Sequence, residues 1–264
     1  MLPGENRVTI TINGTDVSID ALDPTPRRIA SLVMTKSHDF DHLPPRWQEF
    51  HSFIESNADM FATSMSDIGH TKVAKHTIET EGPPIYLPPY RVAQTHRVEI
   101  DKQIQEMLDG GIIRPSNSPY SAPIIMVNKK DGGSRMVVDY RKLNSQTRKG
   151  HFPIPRIDET IDSLHGVKVF TTSDLFSGFY QIELDEHSKF KTAFVTPSGQ
   201  YEFNRLPMGM CGSPATFQRC LNTVLRSLLN KCALVYIDGI ICFSGSIERF
   251  TKCVRALAVR RSKN

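Results

Sequence analysis

The stretch GPPIYLPPY, from Gly82 to Tyr90, carries four prolines between Gly82 and Pro89. Proline locks φ and removes a backbone donor, so this stretch is an extended connector that no helix can cross. The main organisational boundary is placed there. Upstream, NRVTITINGTDVSID alternates Val8, Ile10 and Ile12, turns at Asn13-Gly14 and resumes with Val17 and Ile19, which predicts a β-hairpin. PRWQEFHSFIESNADMF spaces Trp47, Phe50, Phe53 and Ile54 as an amphipathic helix.

Downstream, strands and helices interleave. THRVEIDKQIQEMLDGG predicts a helix with Val98, Ile104, Met107 and Leu108 on one stripe, stopped by Gly110-Gly111. APIIMVNKKDGGSRMVVDYRKLN predicts two strands about Asp131-Gly132-Gly133, and RIDETIDSL a short helix with Ile157, Ile161 and Leu164 inward. VKVFTTSDLFSGFYQIEL is a strand, a break and a second element. GSPATFQRCLNTVLRSLLNK predicts a helix with Ser213 as N-cap, Pro214 at the first helical position and Phe217, Leu221, Leu225 and Leu228 buried. CALVYIDGIICFS is a hairpin with its turn at Asp238-Gly239, and IERFTKCVRALAV a closing helix. The pattern is an α+β or α/β domain from about residue 90 onward.

Apolar residues are 39% and charged residues 23% of the chain, which excludes a disordered chain. The net charge of +4 is compatible with a polyanionic partner without demanding one. The five cysteines, at 211, 220, 232, 242 and 253, include no C-x-x-C pair, which argues against a zinc ribbon or disulfide framework and for reduced thiols inside a cell. No run approaches 18 apolar residues and MLPGENRVTI is not a signal peptide, so no membrane association is expected.

Two places could carry chemistry. A ribbon turning at Asp131-Gly132-Gly133 gathers Lys129, Lys130 and Arg135, which suits a triphosphate but equally an ordinary solvated turn. Asp174 ends a strand and Asp238 sits in a hairpin; as sheet neighbours they could hold divalent cations, although turn aspartates commonly satisfy only backbone donors.

Taken in order, SPYSAPIIMVNKKDGGSRMVVDYRKLN, HFPIPRIDETIDSL, FTTSDLFSGFYQIEL, KTAFVTPSGQYEFNRLPMGMCGSPATFQ and LVYIDGIICFS resemble the successive motifs of the reverse transcriptase domain of gypsy-like LTR retrotransposon Pol polyproteins. The resemblance covers Ile78 to Ala258. It implies fingers over about 90–150 and a palm over about 151–258, the palm an antiparallel sheet backed by helices. Residues 1–77 would be a leader, either part of the fold or a remnant of an adjacent Pol region, and 259–264 a tail. By resemblance, Lys129 and Arg135 hold the incoming triphosphate and Asp174 and Asp238 are catalytic metal ligands. Phe179 matches the steric gate against a ribose 2′-hydroxyl, although plain core packing suits it too. Met208 and Gly209 lie beside the nucleotide, and Ser213, Pro214 and Tyr236 beside the template–primer. Met208 stands where relatives commonly carry Phe or Gln. The implied cofactor is Mg2+ (or Mn2+). The implied partners are an RNA or DNA template–primer, dNTPs and other Pol or Gag chains, in the cytoplasm (in a virus-like particle) or the nucleus.

Two departures qualify this. The family's YIDD hairpin is YIDG here, so a metal carboxylate is missing at Gly239, and neither Glu183 nor Asp185 replaces it. The resemblance also ends within the closing helix, so no thumb, connection or RNase H is expected, and protease and integrase motifs are absent. The expected function is an RNA-directed DNA polymerase domain with reduced or absent activity; the alternatives are a non-catalytic nucleic-acid-binding module and an inactive relic fragment.

Overall fold

A computed structural model describes residues 7–12, 15–20, 68–128, 132–150, 155–167, 169–237 and 239–246, with isolated positions besides. The proposed helix around Trp47, the Asn13-Gly14 turn, most of the closing helix, Lys129 and Asp238 lie outside the described residues. The chain divides into two compact units. One comprises residues 68–152 and 177–217; the other comprises 1–67, 153–176 and 218–264.

The first unit holds β3 (Thr71–His76), α1 (Gln94–Asp109), β4 (Ile113–Pro115), β5 (Ala122–Asn128), β6 (Ser134–Val138) and α2 (Arg141–Gln146). It continues with β8 (Ile182–Leu184), α4 (Glu186–Lys189), β9 (Phe194–Thr196) and β10 (Gly199–Phe203), after a 3-10 turn at Gly178–Gln181. Its main sheet runs β4-β10-β9-β5-β6, antiparallel except for β5 beside β9. The prolines of the connector leave it without helix, and it docks through two backbone bonds, Leu87 N–H to Ser121 C=O and Ser121 N–H to Ile85 C=O.

Helix α1 falls where its periodicity placed it, but its buried stripe is Ile100, Ile104 and Met107. Val98 is 79% exposed, because at 100° per residue it points about 200° away from Ile100. Gly111, at φ 62°, lets its own N–H bond Leu108 C=O while Ile112 N–H returns to Met107 C=O, closing the helix end.

In the second unit, β1 (Arg7–Ile12) and β2 (Thr15–Asp20) form the predicted hairpin, joined by α3 (Ile157–Asp162), β7 (Val169–Asp174), β11 (Ala233–Tyr236) and β12 (Gly239–Ser244). The sheet order is β11-β12-β7-β1-β2, antiparallel throughout. Residues 7–20 therefore extend this sheet across β7. α5 (Ser213–Val224) crosses the division between Phe217 and Gln218. It ends earlier than its apolar repeat, with buried Leu225 continuing in a turn.

Two expectations are corrected. Gly212 C=O accepts the first helical bond of α5 from Thr216 N–H, so the cap is Gly212 and Ser213 is the first helical residue. Buried Ser213 donates its hydroxyl to Pro207 C=O at 3.0 Å instead of capping. A side chain at Gly212 would come within 2.9 Å of the His76 ring, which leaves only glycine room there. Secondly, Cys232 and Cys253 are paired as a disulfide, with Cα atoms 6.2 Å apart, while Cys211, Cys220 and Cys242 are free. An odd cysteine count leaves room for one such pair.

Candidate active site

The β11–β12 hairpin is built from β-favouring residues whose inward face is buried, with Ala233 and Val235 on one strand opposite Cys242 and Ile240 on the other. That burial sets the register. Tyr236 pairs with Gly239, so Gly239 belongs to the returning strand and not to the turn. Gly239 is the first residue of the returning strand, and the left-handed φ that a two-residue turn demands falls on Ile237, at 54°.

Gly239 also pairs with Asp174 on the other side. Tyr236, Gly239 and Asp174 thus stand in one row at one end of the sheet. Directly opposed Cα atoms in such ladders lie about 4.5–5.5 Å apart. Residue 239 is therefore the immediate cross-strand neighbour of Asp174, and glycine brings no oxygen ligand to that place.

The turn is held from α5. Gln218, fully buried, donates its amide to Val235 C=O at 3.1 Å and accepts Ile237 N–H at 2.8 Å; it also donates to Asn222 Oδ1 at 3.0 Å. Gln218 fixes the backbone on both sides of Tyr236. Nothing in its sequence setting singled it out beyond a glutamine at a helix position otherwise fit for an apolar residue.

The other unit carries the remaining candidates. Arg135 is half-buried on β6, paired across the ribbon with Val127. Burial pushes the Tyr180 phenol up to about 12, and the nearby Arg135 guanidinium acts in the opposite sense. Phe179, also half-buried, packs its ring 4.9 Å from that of Phe217. Met208 is half-buried and Gly209 exposed in a turn, with Gly209 at φ 86°. Asn144, on α2, donates to Gly209 C=O at 2.8 Å and accepts Cys211 N–H at 2.9 Å, so it anchors this turn; the sequence analysis assigned it no role. Pro214 lies in the first turn of α5, where its missing N–H costs nothing.

Three carboxylates of this unit are engaged within it. Asp139 accepts two bonds from the Arg141 guanidinium, at 2.9 and 2.6 Å, one from Arg141 N–H at 3.1 Å and one from Tyr90 at 3.2 Å; the Arg141 side-chain bond above all holds its carboxyl down at about 2. Glu183 pairs with Lys75, and Asp185 accepts His187 N–H as the cap of α4.

The row of Asp174, Gly239 and Tyr236, held over a helix that opens with Ser-Pro-Ala, can be set against known proteins. Residues 127–264 match the reverse transcriptase (RNA-dependent DNA polymerase) family. The chain belongs to this family. Among curated relatives it is 51% identical over 191 residues to the retrovirus-related Pol polyprotein from transposon 297 of Drosophila melanogaster, covering 70% of this chain and 18% of that protein. To the Pol polyprotein from transposon gypsy of the same fly it is 37% identical over 204 residues, 75% of this chain and 20% of the relative. It therefore spans about a fifth of the length of these relatives.

The fold is that of reverse transcriptases. The foamy viral protease-reverse transcriptase solved with double-stranded DNA aligns at TM-score 0.78 and 22% identity, over 92% of this chain and 44% of that one. The same viral enzyme solved with an RNA/DNA hybrid aligns at TM-score 0.77 and 22% identity, over 90% and 33%. The expected α+β class, with an antiparallel sheet backed by helices, is the one observed.

Proposed function

We propose that residues 78–258 are the fingers (about 90–150) and palm (about 151–258) of an RNA-directed DNA polymerase from a retrotransposon Pol protein, with nucleotidyl transfer impaired in this chain. The observation that carries this is the register placing Gly239 opposite Asp174 and Tyr236 at one sheet end. Asp174 and Asp238 supply carboxylate oxygens that fit one hard divalent cation, Mg2+ (or Mn2+), and fall short of the set that two ions need. When bound, such an ion lowers the pKa of a primer hydroxyl and neutralises phosphate charge. The chain's own residues do the positioning. Arg135 and Lys129 receive the triphosphate of a dNTP as fork and point charge. Phe179, braced by Phe217, is assigned to the sugar, Met208-Gly209 to the nucleotide, and Pro214 and Tyr236 to the template–primer; Ser213, buried with its hydroxyl on Pro207 C=O, supports that surface only by holding the start of α5. Glycine at 239 removes one negative ligand from this arrangement, which accounts for the impairment.

The foamy viral relatives were solved with double-stranded DNA and an RNA/DNA hybrid, which supports an RNA or DNA template–primer as partner here. Other Pol or Gag chains would share an intracellular setting, in a cytoplasmic virus-like particle or the nucleus. No helix among the described residues is long and apolar enough to cross a membrane. Gly239 itself favours a second reading, a nucleic-acid-binding module without catalysis.

Primer extension on an RNA template decides between them, comparing the chain with its Gly239→Asp and Asp174→Asn variants. Incorporation is expected from Gly239→Asp alone. Incorporation by the unmodified chain at a similar rate overturns the impairment. Silence from all three, with RNA still bound, favours the binding module.

A further inference from the structure

We propose that the palm unit carries a second nucleic-acid site, a basic cleft for single-stranded RNA or DNA at the end of the β7–β12 ladder opposite Asp174. The ladder starts at Gly239–Asp174 and finishes at Ser244–Val169. Five residues of strand separate the two ends, roughly 17 Å at about 3.4 Å per residue. At the far end lies a cleft of about 430 Å3 lined by Lys231, Arg249, Lys252, His165, Phe243 and Ser244, among others. That volume is in the range of small-molecule sites, on the order of 300–1,000 Å3, and accommodates a nucleotide unit.

Charge and shape point to the ligand. Among the described residues, no carboxylate lines the cleft. Lys231, Arg249 and Lys252 are exposed, and none of them forms an ion pair among the described residues. The disulfide brings two of the cations together, because Lys231 and Lys252 each adjoin a paired cysteine, Cys232 and Cys253, whose Cα atoms are 6.2 Å apart. Arg249 and Lys252 are three residues apart in a helical stretch and so share a face. Like charges gathered in this way repel one another, and a phosphate backbone relieves that repulsion. Phe243, half-buried, adds an aromatic surface to the groove. A basic groove with an aromatic face is the pairing used for single strands, in which bases are free to stack, and it has no special merit for an acidic peptide.

The identity of the polyanion rests on the proposed function; the site does not depend on catalysis. The test is fluorescence anisotropy of a labelled 20-nucleotide single-stranded RNA across a salt series, with the unmodified chain and with Lys231→Gln/Arg249→Gln/Lys252→Gln. The triple variant is expected to bind about tenfold more weakly, with the slope of log K against log salt smaller by about 2, the value for three phosphate contacts on a single strand. An Arg135→Gln change in the fingers is expected to add its own loss independently. An affinity within twofold and an unchanged slope overturn the proposal, as does equal displacement of the RNA by poly-L-glutamate. Photo-crosslinking of 4-thiouridine RNA to the unmodified chain needs no variant to fold. Adducts on peptides containing Lys231, Phe243 or Lys252 support the site, and adducts confined elsewhere overturn it. Failure of the Gly239→Asp chain to extend a primer leaves these readouts unmoved.

Discussion

Two turns, one in each unit, are held by the same device and differ in what it restrains. Near Gly209, Asn144 gives its amide to the carbonyl of residue 209 and takes the N–H of residue 211. In the hairpin, Gln218 gives its amide to the carbonyl of residue 235 and takes the N–H of residue 237. Each amide clamps a C=O and an N–H two residues apart. In the first turn the left-handed residue is Gly209, at φ 86°, which tolerates it freely. In the second it is Ile237, at φ 54°, a β-branched residue for which that conformation costs on the order of 1–3 kcal/mol. One clamp fixes a relaxed loop; the other holds a strained turn at the edge of the candidate catalytic row. The buried amide is the one assigned to the strain.

Replacing Gln218 tests that contrast hardest. Gln218→Leu leaves Val235 C=O and Ile237 N–H without their partner, and is expected to destabilise by about 2–4 kcal/mol. A fall in Tm of about 5–15 °C in a thermal melt corresponds to this. Faster hydrogen exchange at Ile237 N–H should accompany it, and a variant that melts like the parent removes the clamp from the account.

Gly209→Ala should come next. It forces an L-residue into the left-handed region, with its Cβ 3.7 Å from Val138 C=O, at a cost of about 1–2 kcal/mol. Urea unfolding midpoints compare it directly with Gln218→Leu.

Ile237→Asn should go the other way. Asparagine visits the left-handed region more readily, so a gain of about 0.5 kcal/mol is expected. A loss would show that the Ile237 side chain contributes more than its backbone costs.

A comparison of another kind concerns Asp139, which is tied to Arg141 rather than to a turn. Its carboxyl is held at about 2 in the fold, below the usual unfolded value of about 3.9. The stabilisation is therefore complete above about pH 4 and lost as the pH falls towards 2. Asp139→Asn should flatten that acid limb of a Tm–pH curve while leaving the Gln218 effect unchanged.

Local pattern carried far into the structure where one face of an element meets one environment. The leader hairpin, α1, the β5–β6 ribbon and the start of β7 all lie where alternation or helical spacing put them. It slipped where two interpretations shared a spacing. Val98 fits the helical repeat of α1 loosely but faces solvent, and Ser213 is a good cap residue that found Pro207 C=O instead. Asp-Gly is a favoured hairpin turn, but burial of Ile240 and Cys242 fixed the register one residue earlier.

By itself the sequence determined the order of motifs, the family they belong to and the glycine at 239, because side-chain identity is local information. Only the tertiary structure decided that Gly239 stands in register with Asp174, that Gln218 and Asn144 reach across to clamp distant turns, and that Lys231 and Lys252 meet beside a paired Cys232 and Cys253. Each of these joins residues far apart in the chain. Their proximity is set by strand pairing and core burial, which no short window of residues contains.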